Sequence, residues 1–257
     1  MKIFNKIYNT GWGLLSALLI LSACNKLELD PVPLTQPTQE TTPTIGTFLD
    51  NPDFSFFKAA VVRAGLAAAP GTATILQQLS NPAQRFTVFV PDNNAFMASG
   101  ISSVAVVNSL PVPQVYAVVS YHIVPQVLKA ASIPSIFPNF QYPTILNPAP
   151  QVSALLRLTT FPSVRSNGAW VNNIPVIAVD IAAVNGVLHK VAALVAPPST
   201  DLWTKISTDQ DLTYLKAAIQ RADSGVAAGR RLQDALDLAS NPSAIGSNLT
   251  IFAPNDA

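Results

Sequence analysis

The 257-residue sequence contains little charge, one cysteine and two histidines. Charged residues make up 11% of the chain, whereas an ordinary soluble domain has about 25%. The single cysteine, Cys24, excludes an intrachain disulfide, and His122 and His189 are too isolated to indicate a zinc site. Fifteen Lys and Arg residues against fourteen Asp and Glu residues leave a net charge of +1. This balance gives no support for nucleic-acid binding.

The sequence also lacks the short motifs that mark common enzymes. It contains no Gly-x-Ser-x-Gly elbow for a nucleophilic serine and no glycine-rich loop that would hold a phosphate. Catalysis would require His122 or His189 within hydrogen-bond reach of a serine, threonine or carboxylate in an open cleft. We therefore expect no enzyme activity, no cofactor and no metal.

The N-terminus has the pattern of an export signal. Lys2 and Lys6 precede a mostly apolar run from Trp12 to Leu21, and Ser22-Ala23-Cys24 follows at once. The run is shorter than the roughly 20 apolar residues of a membrane-spanning helix. Because Cys24 lies just after the expected cleavage site, this segment resembles the bacterial lipoprotein box. The resemblance implies a signal peptide over residues 1–23 and a lipid on Cys24; the alternative is an unmodified cysteine in a plain secretory signal.

Residues 24–46 are rich in proline, threonine and glutamine, a composition that cannot bury much apolar surface. Its prolines are Pro31, Pro33, Pro37 and Pro43. We interpret this stretch as a tether between the lipidated Cys24 and a folded region that begins near Thr47.

An internal repeat organises the rest of the chain. Phe86 to Phe96 reads FTVFVPDNNAF, and Leu249 to Ala257 reads LTIFAPNDA. Upstream, Asp211 to Ile219 matches Asp53 to Val61 position by position. An internal repeat should be identified before individual helices and strands are assigned, because it determines the overall architecture. The sequence thus predicts one complete unit and, over residues 201–257, the truncated beginning of a second, with helices, at most one strand and a loose attachment.

Within the first unit, helical patterns precede strand patterns. Asn51-Pro52-Asp53 is a helix start and Gly65 a helix end. Two further helices are expected over residues 102–110 and 112–120, and the segments with strand patterns are 122–124, 126–130, 152–160, 168–172, 175–180 and 187–195. This order predicts an α+β fold with a largely antiparallel sheet. The domain boundary is placed at residues 196–200, which contain two prolines.

Three ordered motifs carry a family resemblance. Thr87 to Phe96, Tyr121-His-Ile-Val-Pro125 and Asn185-Gly-Val-Leu-His-Lys-Val191 together resemble the fasciclin domain. The resemblance covers residues 47–197 completely and residues 201–257 as the front of a second copy. It implies a β-wedge with a helical lobe that serves as an adhesion or interaction module. With the lipid on Cys24, the expected location is the bacterial cell envelope, on the outer membrane or cell surface or on the periplasmic side.

The expected partners are the membrane, through the lipid, and an envelope or extracellular protein or a polysaccharide. In animal relatives of the family the Tyr-His pair is linked to integrin recognition, so Tyr121 and His122 are the candidate partner-binding residues. The structural interpretation, which we favour, packs Tyr121 in the core while His122 satisfies a backbone group. For His189, on an apolar strand, we also expect a structural hydrogen-bonding role.

A second function hypothesis comes from the low charge and high apolar content. The chain could be a periplasmic carrier of a small apolar ligand, which predicts a deep apolar cavity in residues 47–197. A tightly packed domain without such a cavity would exclude it.

The sequence also predicts two local features. Asp92, Asn93 or Asn94 caps a helical turn, and Asn185-Gly186 forms a tight turn.

Overall fold

The computed structural model describes residues 42–135, 139–151, 153–237 and 249–257. The signal segment, Cys24 and nearly all of the tether lie outside the described residues. The α-helices are α1 (Ile45–Phe48), α2 (Ser55–Ala64), α3 (Ile75–Ser80), α4 (Asn93–Ala98), α5 (Val104–Ser109), α6 (Val112–Tyr121), α7 (Leu202–Thr208), α8 (Thr213–Ala222) and α9 (Leu232–Leu236). The strands are β1 (Phe86–Pro91), β2 (Ile123–Val124), β3 (Tyr142–Pro143), β4 (Thr159–Thr160), β5 (Pro162–Arg165), β6 (Gly168–Val171), β7 (Ile174–Ala183) and β8 (Gly186–Val191).

At the start of several helices, a side chain accepts a hydrogen bond from a backbone N–H group that has no partner inside the helix. The Thr74 hydroxyl caps α3 in a reciprocal capping box with Gln77, and Ser103 caps α5. The Asp92 carboxylate caps α4 through the Ala95 N–H at 2.8 Å. Each cap satisfies donors that have no partner inside the helix. The predicted cap after the first strand is confirmed, and Asp92 is the residue that provides it.

Six strands form one sheet in the order β2-β1-β8-β7-β6-β5. Only the β1–β8 pair is parallel, while the other four pairs are antiparallel. Strand β1 is buried over its whole length, because Phe86, Val88 and Val90 pack in one apolar cluster with α2 and α6 and Phe89 packs in a second. The predicted α+β fold with a largely antiparallel sheet is confirmed.

One strand prediction was wrong, a second was only partly right, and two strands, β3 (Tyr142–Pro143) and β5, were missed. Residues 126–130 form no ladder because their backbone groups bond side chains: Leu128 N–H donates to the Thr87 hydroxyl, and Ala130 N–H donates to Asp180. Of the predicted strand over residues 152–160, only Thr159–Thr160 is a strand among the described residues. Strand β5 was missed because it begins with Pro162, which an edge strand tolerates.

The turn between β7 and β8 is confirmed, although its two residues act differently. Gly186 has φ +150°, and a Cβ added there would lie 1.9 Å from the Phe86 carbonyl oxygen. Asn185 does not use positive φ; instead its buried side chain accepts from Ile45 N–H at 2.8 Å and donates to the Leu79 and Asn81 carbonyls. This one amide therefore joins α1, the end of α3 and the start of β8.

The folded region begins earlier than the expected Thr47. Helix α1 starts at Ile45, which is fully buried, and the Pro43 carbonyl accepts from Val184 N–H at 3.1 Å. Residues 43–46, assigned from the sequence to the tether, therefore belong to the fold. We call residues 42–197 the first segment.

Residues 201–257, the second segment, contain α7, α8 and α9. These helices contact one another, and Ile206, Ile219 and Leu236 form an apolar cluster separate from the two in the first segment. The described residues 249–257 adopt no strand, although Ile251 packs against this cluster. Across all described residues, no helix combines the length and apolar character needed to cross a membrane.

Candidate functional site

Tyr121 is the last residue of α6 and lies inside the second apolar cluster. Its side chain is 3% exposed. The Tyr121 hydroxyl donates to the Thr159 carbonyl at 2.8 Å and accepts from the Asn172 amide at 3.1 Å. Burial raises the pKa of this phenol, although the Asn172 hydrogen bond opposes the shift. Tyr121 thus joins α6 to the strands at residues 159–172.

His122 connects α6 to the end of the first segment. Its Nε2 accepts from Val195 N–H at 3.0 Å, so the ring proton lies on Nδ1, which donates to the Val118 carbonyl at 2.8 Å. The side chain is fully buried, and its ring centroid lies 5.8 Å from that of Phe57. Burial lowers the pKa of His122 to about 4, against the raising effect of the Val118 hydrogen bond. The imidazole is therefore neutral at pH 7.

His189, on β8, has the opposite tautomer. Its Nδ1 accepts from Asp180 N–H at 3.2 Å, and Nε2 donates to the Leu128 carbonyl at 2.7 Å. Asp180 has φ +56° and lies where the β7–β8 register shifts, so the bulge directs this N–H at the ring. The ring stacks on Phe89, and burial lowers its pKa. The expected structural role of His189 is confirmed.

The Tyr-His pair has the geometry of our favoured interpretation. Tyr121 packs in the core and His122 satisfies two backbone groups, so neither side chain lies on the surface in this structure. As candidate partner-binding residues they need correction, because Tyr121 is buried against the strands at residues 159–172 and His122 is buried against Val195. Among the described residues, no group of three potential metal ligands occurs together.

The polar residues after β1 hold two different helices. Asp92 caps α4 and pairs with Lys190 Nζ at 2.7 Å. Burial disfavours ionisation of Asp92, but the Lys190 ammonium and the Ala95 N–H outweigh it and hold its pKa below the ordinary value. Asn93 reaches across to α2, where its Oδ1 accepts from Phe56 N–H at 3.1 Å and its Nδ2 donates to the Pro52 carbonyl at 3.0 Å.

Beside His122 lies an apolar cavity of about 320 Å³. Its walls come from α2, α4, α5, α6 and the segment before the domain boundary; they are formed by Phe57, Ala60, Phe96, Ser99, Ile101, Val107, Leu110, Gln114, Val115, Val118, Val119, Leu194 and Ala196. None of these residues is charged. The carrier hypothesis required such a cavity in this domain, so the structure does not exclude it.

Sequence reasoning did not find the cavity residues, because apolar positions that recur every three or four residues on a helix look the same whether they face a neighbouring element or a cavity. It also missed Asn172, which has φ +52° and whose Oδ1 accepts from Phe161 N–H at 2.9 Å. An asparagine between two strand patterns was the available signal, since this residue type tolerates positive φ. Asn172 and Tyr121 together align the strands on this side of the sheet.

The chain matches one family model, and it is similar to a curated protein and to a solved structure, among others. The model of the fasciclin domain matches residues 52–197. Protein sll1483 of Synechocystis sp. is 30% identical over 137 residues, which cover 52% of this chain and 66% of that protein. A structure of a FAS1 domain pair from the insect cell adhesion molecule Fasciclin I aligns with a TM-score of 0.45 and 14% identity, covering 60% of this chain and 51% of that one. The chain thus spans about two thirds of the first relative's length and about half of the second's.

Proposed function

The chain belongs to the fasciclin domain family, and from this premise we propose that it is a lipid-anchored interaction module of the bacterial cell envelope. Fasciclin domains are generally associated with adhesion and protein interaction. The observation that carries the proposal is the family match over residues 52–197, which includes the whole six-stranded sheet and the Tyr-His segment. The partner is an envelope or extracellular protein or a polysaccharide.

A non-catalytic role fits the chemistry of the described residues, where nothing points to enzymatic activity. A general base needs a free ring nitrogen that can reach a substrate. Both nitrogens of His122 and of His189 are bonded to backbone groups, and both rings are buried. Neither imidazole can take a proton from a substrate without losing a hydrogen bond of the fold.

The anchor is supported by the sequence alone, because Cys24 lies outside the described residues. The apolar run and the residues Leu21-Ser22-Ala23-Cys24 fit a lipoprotein signal. Acyl chains contribute about 0.8 kcal/mol per buried CH₂, and two or more chains give durable membrane attachment. The proline-rich tether would then hold the domain away from the membrane surface.

Cell attachment tests the interaction role. We compare cells that produce the protein, cells that lack it and cells that produce C24S, on matrix-coated surfaces and on one another. The expected result is increased attachment with the wild-type chain and loss of that increase with C24S, which leaves the described domain unchanged. Equal attachment of all three strains would contradict the proposal.

Metabolic labelling with a fatty acid analogue tests the anchor separately. Wild-type protein is expected in the membrane fraction with the label, and C24S in the soluble fraction without it. Membrane retention and unchanged labelling of C24S would show that Cys24 is not the lipid attachment site. Because this readout does not involve a partner, it distinguishes a wrong anchor from a wrong interaction role.

A further inference from the structure

Hydrogen bonds hold segments of the wall in place in the cavity beside His122. Val195 N–H is bonded to His122 Nε2, and Leu194 N–H donates to the Ser99 hydroxyl at 3.2 Å. At the α5–α6 corner, Arg63 Nε donates to the Leu110 carbonyl at 2.7 Å. These bonds fix three parts of the wall independently of side-chain packing. The cavity is therefore preformed, as ligand pockets usually are.

We propose that this cavity binds a small, uncharged, largely apolar molecule of about two or three rings. This inference goes beyond the envelope-interaction role and does not depend on it. It assigns a ligand site to the face formed by α2, α5, α6 and residues 194–196.

The charge of the walls selects the class of ligand. No Asp, Glu, Lys, Arg or His is among the lining residues. Burying an unpaired carboxylate or ammonium group there would cost several kcal/mol, whereas an apolar surface gains free energy on leaving water. The aromatic rings of Phe57 and Phe96, with centroids 6.5 Å apart, suit an aromatic or alicyclic ligand.

The volume limits the size of the ligand. An apolar cavity of about 150 Å³ accommodates benzene, and this cavity of about 320 Å³ has roughly twice that room. A peptide helix has a diameter of about 10 Å with its side chains and needs a longer groove. The size therefore favours a small molecule over a segment of protein.

Gln114 gives the site one place for a polar group. It is exposed on α6 and belongs to the cavity wall, so its carboxamide can donate and accept a hydrogen bond at the opening. The other polar lining residue, Ser99, already donates to the Ala95 carbonyl and accepts from Leu194. A ligand with one hydroxyl or carbonyl group at its end would match this arrangement.

A second depression, of about 410 Å³, is a weaker candidate. It is lined by the alanine-rich residues 67–69 and by Thr72, Gln78 and Arg157, among others. Nη1 of the exposed Arg157 donates to the carbonyls of Ala154 and Leu156. The lining of this depression mixes this arginine with apolar side chains such as Ile75 and Ile145, so it selects no single class of ligand.

A matched pair of fluorescent probes tests the proposal on the full chain. N-phenyl-1-naphthylamine is neutral, and 8-anilino-1-naphthalenesulfonate has the same rings with an added sulfonate. We expect saturable one-to-one binding of the neutral probe and binding of the anionic probe at least about tenfold weaker. Equal affinities would overturn the proposal, because they would indicate nonspecific apolar surface.

Cavity-filling variants locate the site. V118F places a ring in the cavity wall and should weaken binding of the neutral probe by about tenfold or more. V62F makes the same change at an exposed position of α2 outside the cavity and should leave binding unchanged. A196F, at an exposed lining residue, covers the case in which V118F fails to fold. Unchanged binding in folded V118F and A196F would overturn the assignment.

Discussion

The first and second segments begin with the same local structure and then diverge. Residues 52–54 and 210–212 are 3₁₀ turns, and residues 55–64 (α2) and 213–222 (α8) are the helices that follow, so each boundary is displaced by 158 positions. Asn51 and Asp209 cap these turns through the N–H groups of Asp53 and Asp211. The repeat seen in the sequence is therefore also a repeat of helix boundaries and caps.

The likeness extends to a contact between distant residues. Asn93, after β1, accepts from Phe56 N–H at the start of α2, and Asp256 accepts from Tyr214 N–H at 3.0 Å at the start of α8. Asp256 also accepts from Thr213 N–H at 2.8 Å and bonds the Thr213 hydroxyl, as Asn93 bonds Ser55. These correspondences support the proposal that residues 201–257 are the beginning of a second fasciclin domain.

The strand is where the two segments differ. Phe86–Pro91 lies between β2 and β8 and is buried on both faces. Its counterpart, Leu249–Pro254, is coil, and Phe252, the equivalent of the fully buried Phe89, is 93% exposed. A strand needs neighbouring strands for its backbone hydrogen bonds, whereas a helix makes its own. Equivalent sequences thus give equivalent helices, but only the first gives a strand.

Tryptophan fluorescence can follow the two segments separately. In a chain that starts at Asn25, Trp170 on β6 and Trp203 on α7 are the tryptophans that remain. W203F therefore reports unfolding of the first segment through Trp170, and W170F reports the second segment through Trp203. Each prediction below is measured by denaturant titration in both backgrounds.

The largest expected effect is on the contact between β1 and β8. G186A places a Cβ 1.9 Å from the Phe86 carbonyl oxygen at φ +150°. We expect it to lower the free energy of unfolding of the first segment by about 5 kcal/mol, or to prevent folding. G100A is the control, because Gly100 has φ +83° with nothing within 4 Å, and it should cost about 1 kcal/mol. Similar losses for both variants would show that the close approach is unimportant.

A truncation at equivalent helix positions compares the two cores. Phe57 on α2 is 1% exposed, while its counterpart on α8, Leu215, is only partly buried. We expect F57A to cost the first segment about 4 kcal/mol, and L215A to cost the second about 1 kcal/mol because less apolar area leaves water. The Trp170 and Trp203 transitions report these changes. If L215A costs as much as F57A, the second segment has a core of comparable packing.

Acid should weaken the first segment before the second. The pKa of His122 is about 4 in the fold and 6.5 in the unfolded chain, so the unfolded state binds the extra proton between these values. Stability is therefore full above pH 6.5 and falls by about 3 kcal/mol as the pH drops to 4. Burial also lowers the pKa of His189, so this residue contributes a loss of stability in the same direction. The second segment has no histidine, so its free energy of unfolding should change little over this range. An equal loss of stability in the transition followed by Trp203 would contradict the role of the histidines.

The smallest effect concerns the contacts at the helix starts. N93A removes the acceptor for Phe56 N–H and should lower the stability of the first segment by about 1 kcal/mol. D256A should lower the stability of the second segment by a smaller amount, because the hydrogen bonds of Asp256 to Thr213 and Tyr214 are more exposed to solvent than that of Asn93 to Phe56. The Thr213 hydroxyl and backbone N–H groups hold the pKa of Asp256 below its ordinary value despite some desolvation. Its contribution should disappear as the pH falls below that range, whereas the Asn93 contribution should not.

The sequence predicted the elements whose causes are close together in the chain. A cap by Asp92, Asn93 or Asn94 was expected because a side chain there lies within three residues of the N–H groups it caps, and Gly186 was expected in a turn with Asn185. The candidate site at Tyr121 and His122 was only partly predictable from the sequence. The pattern identified Tyr121 and His122, but their burial depends on Thr159, Asn172 and Val195, which are 38 to 73 residues away.

By itself, the sequence determined the helices α2, α5 and α6, the cap after β1, the α+β class and the family, because each rests on local spacing or on ordered motifs. Only the tertiary structure decided three other features: which copy of the repeated apolar run becomes a strand, which ring nitrogen of each histidine carries the proton, and where the helices leave a cavity. Each depends on groups brought together from distant parts of the chain. Of the two matching runs, Phe-Thr-Val-Phe at residues 86–89 is a strand because β2 and β8 supply its hydrogen bonds, whereas Leu-Thr-Ile-Phe at residues 249–252 is coil.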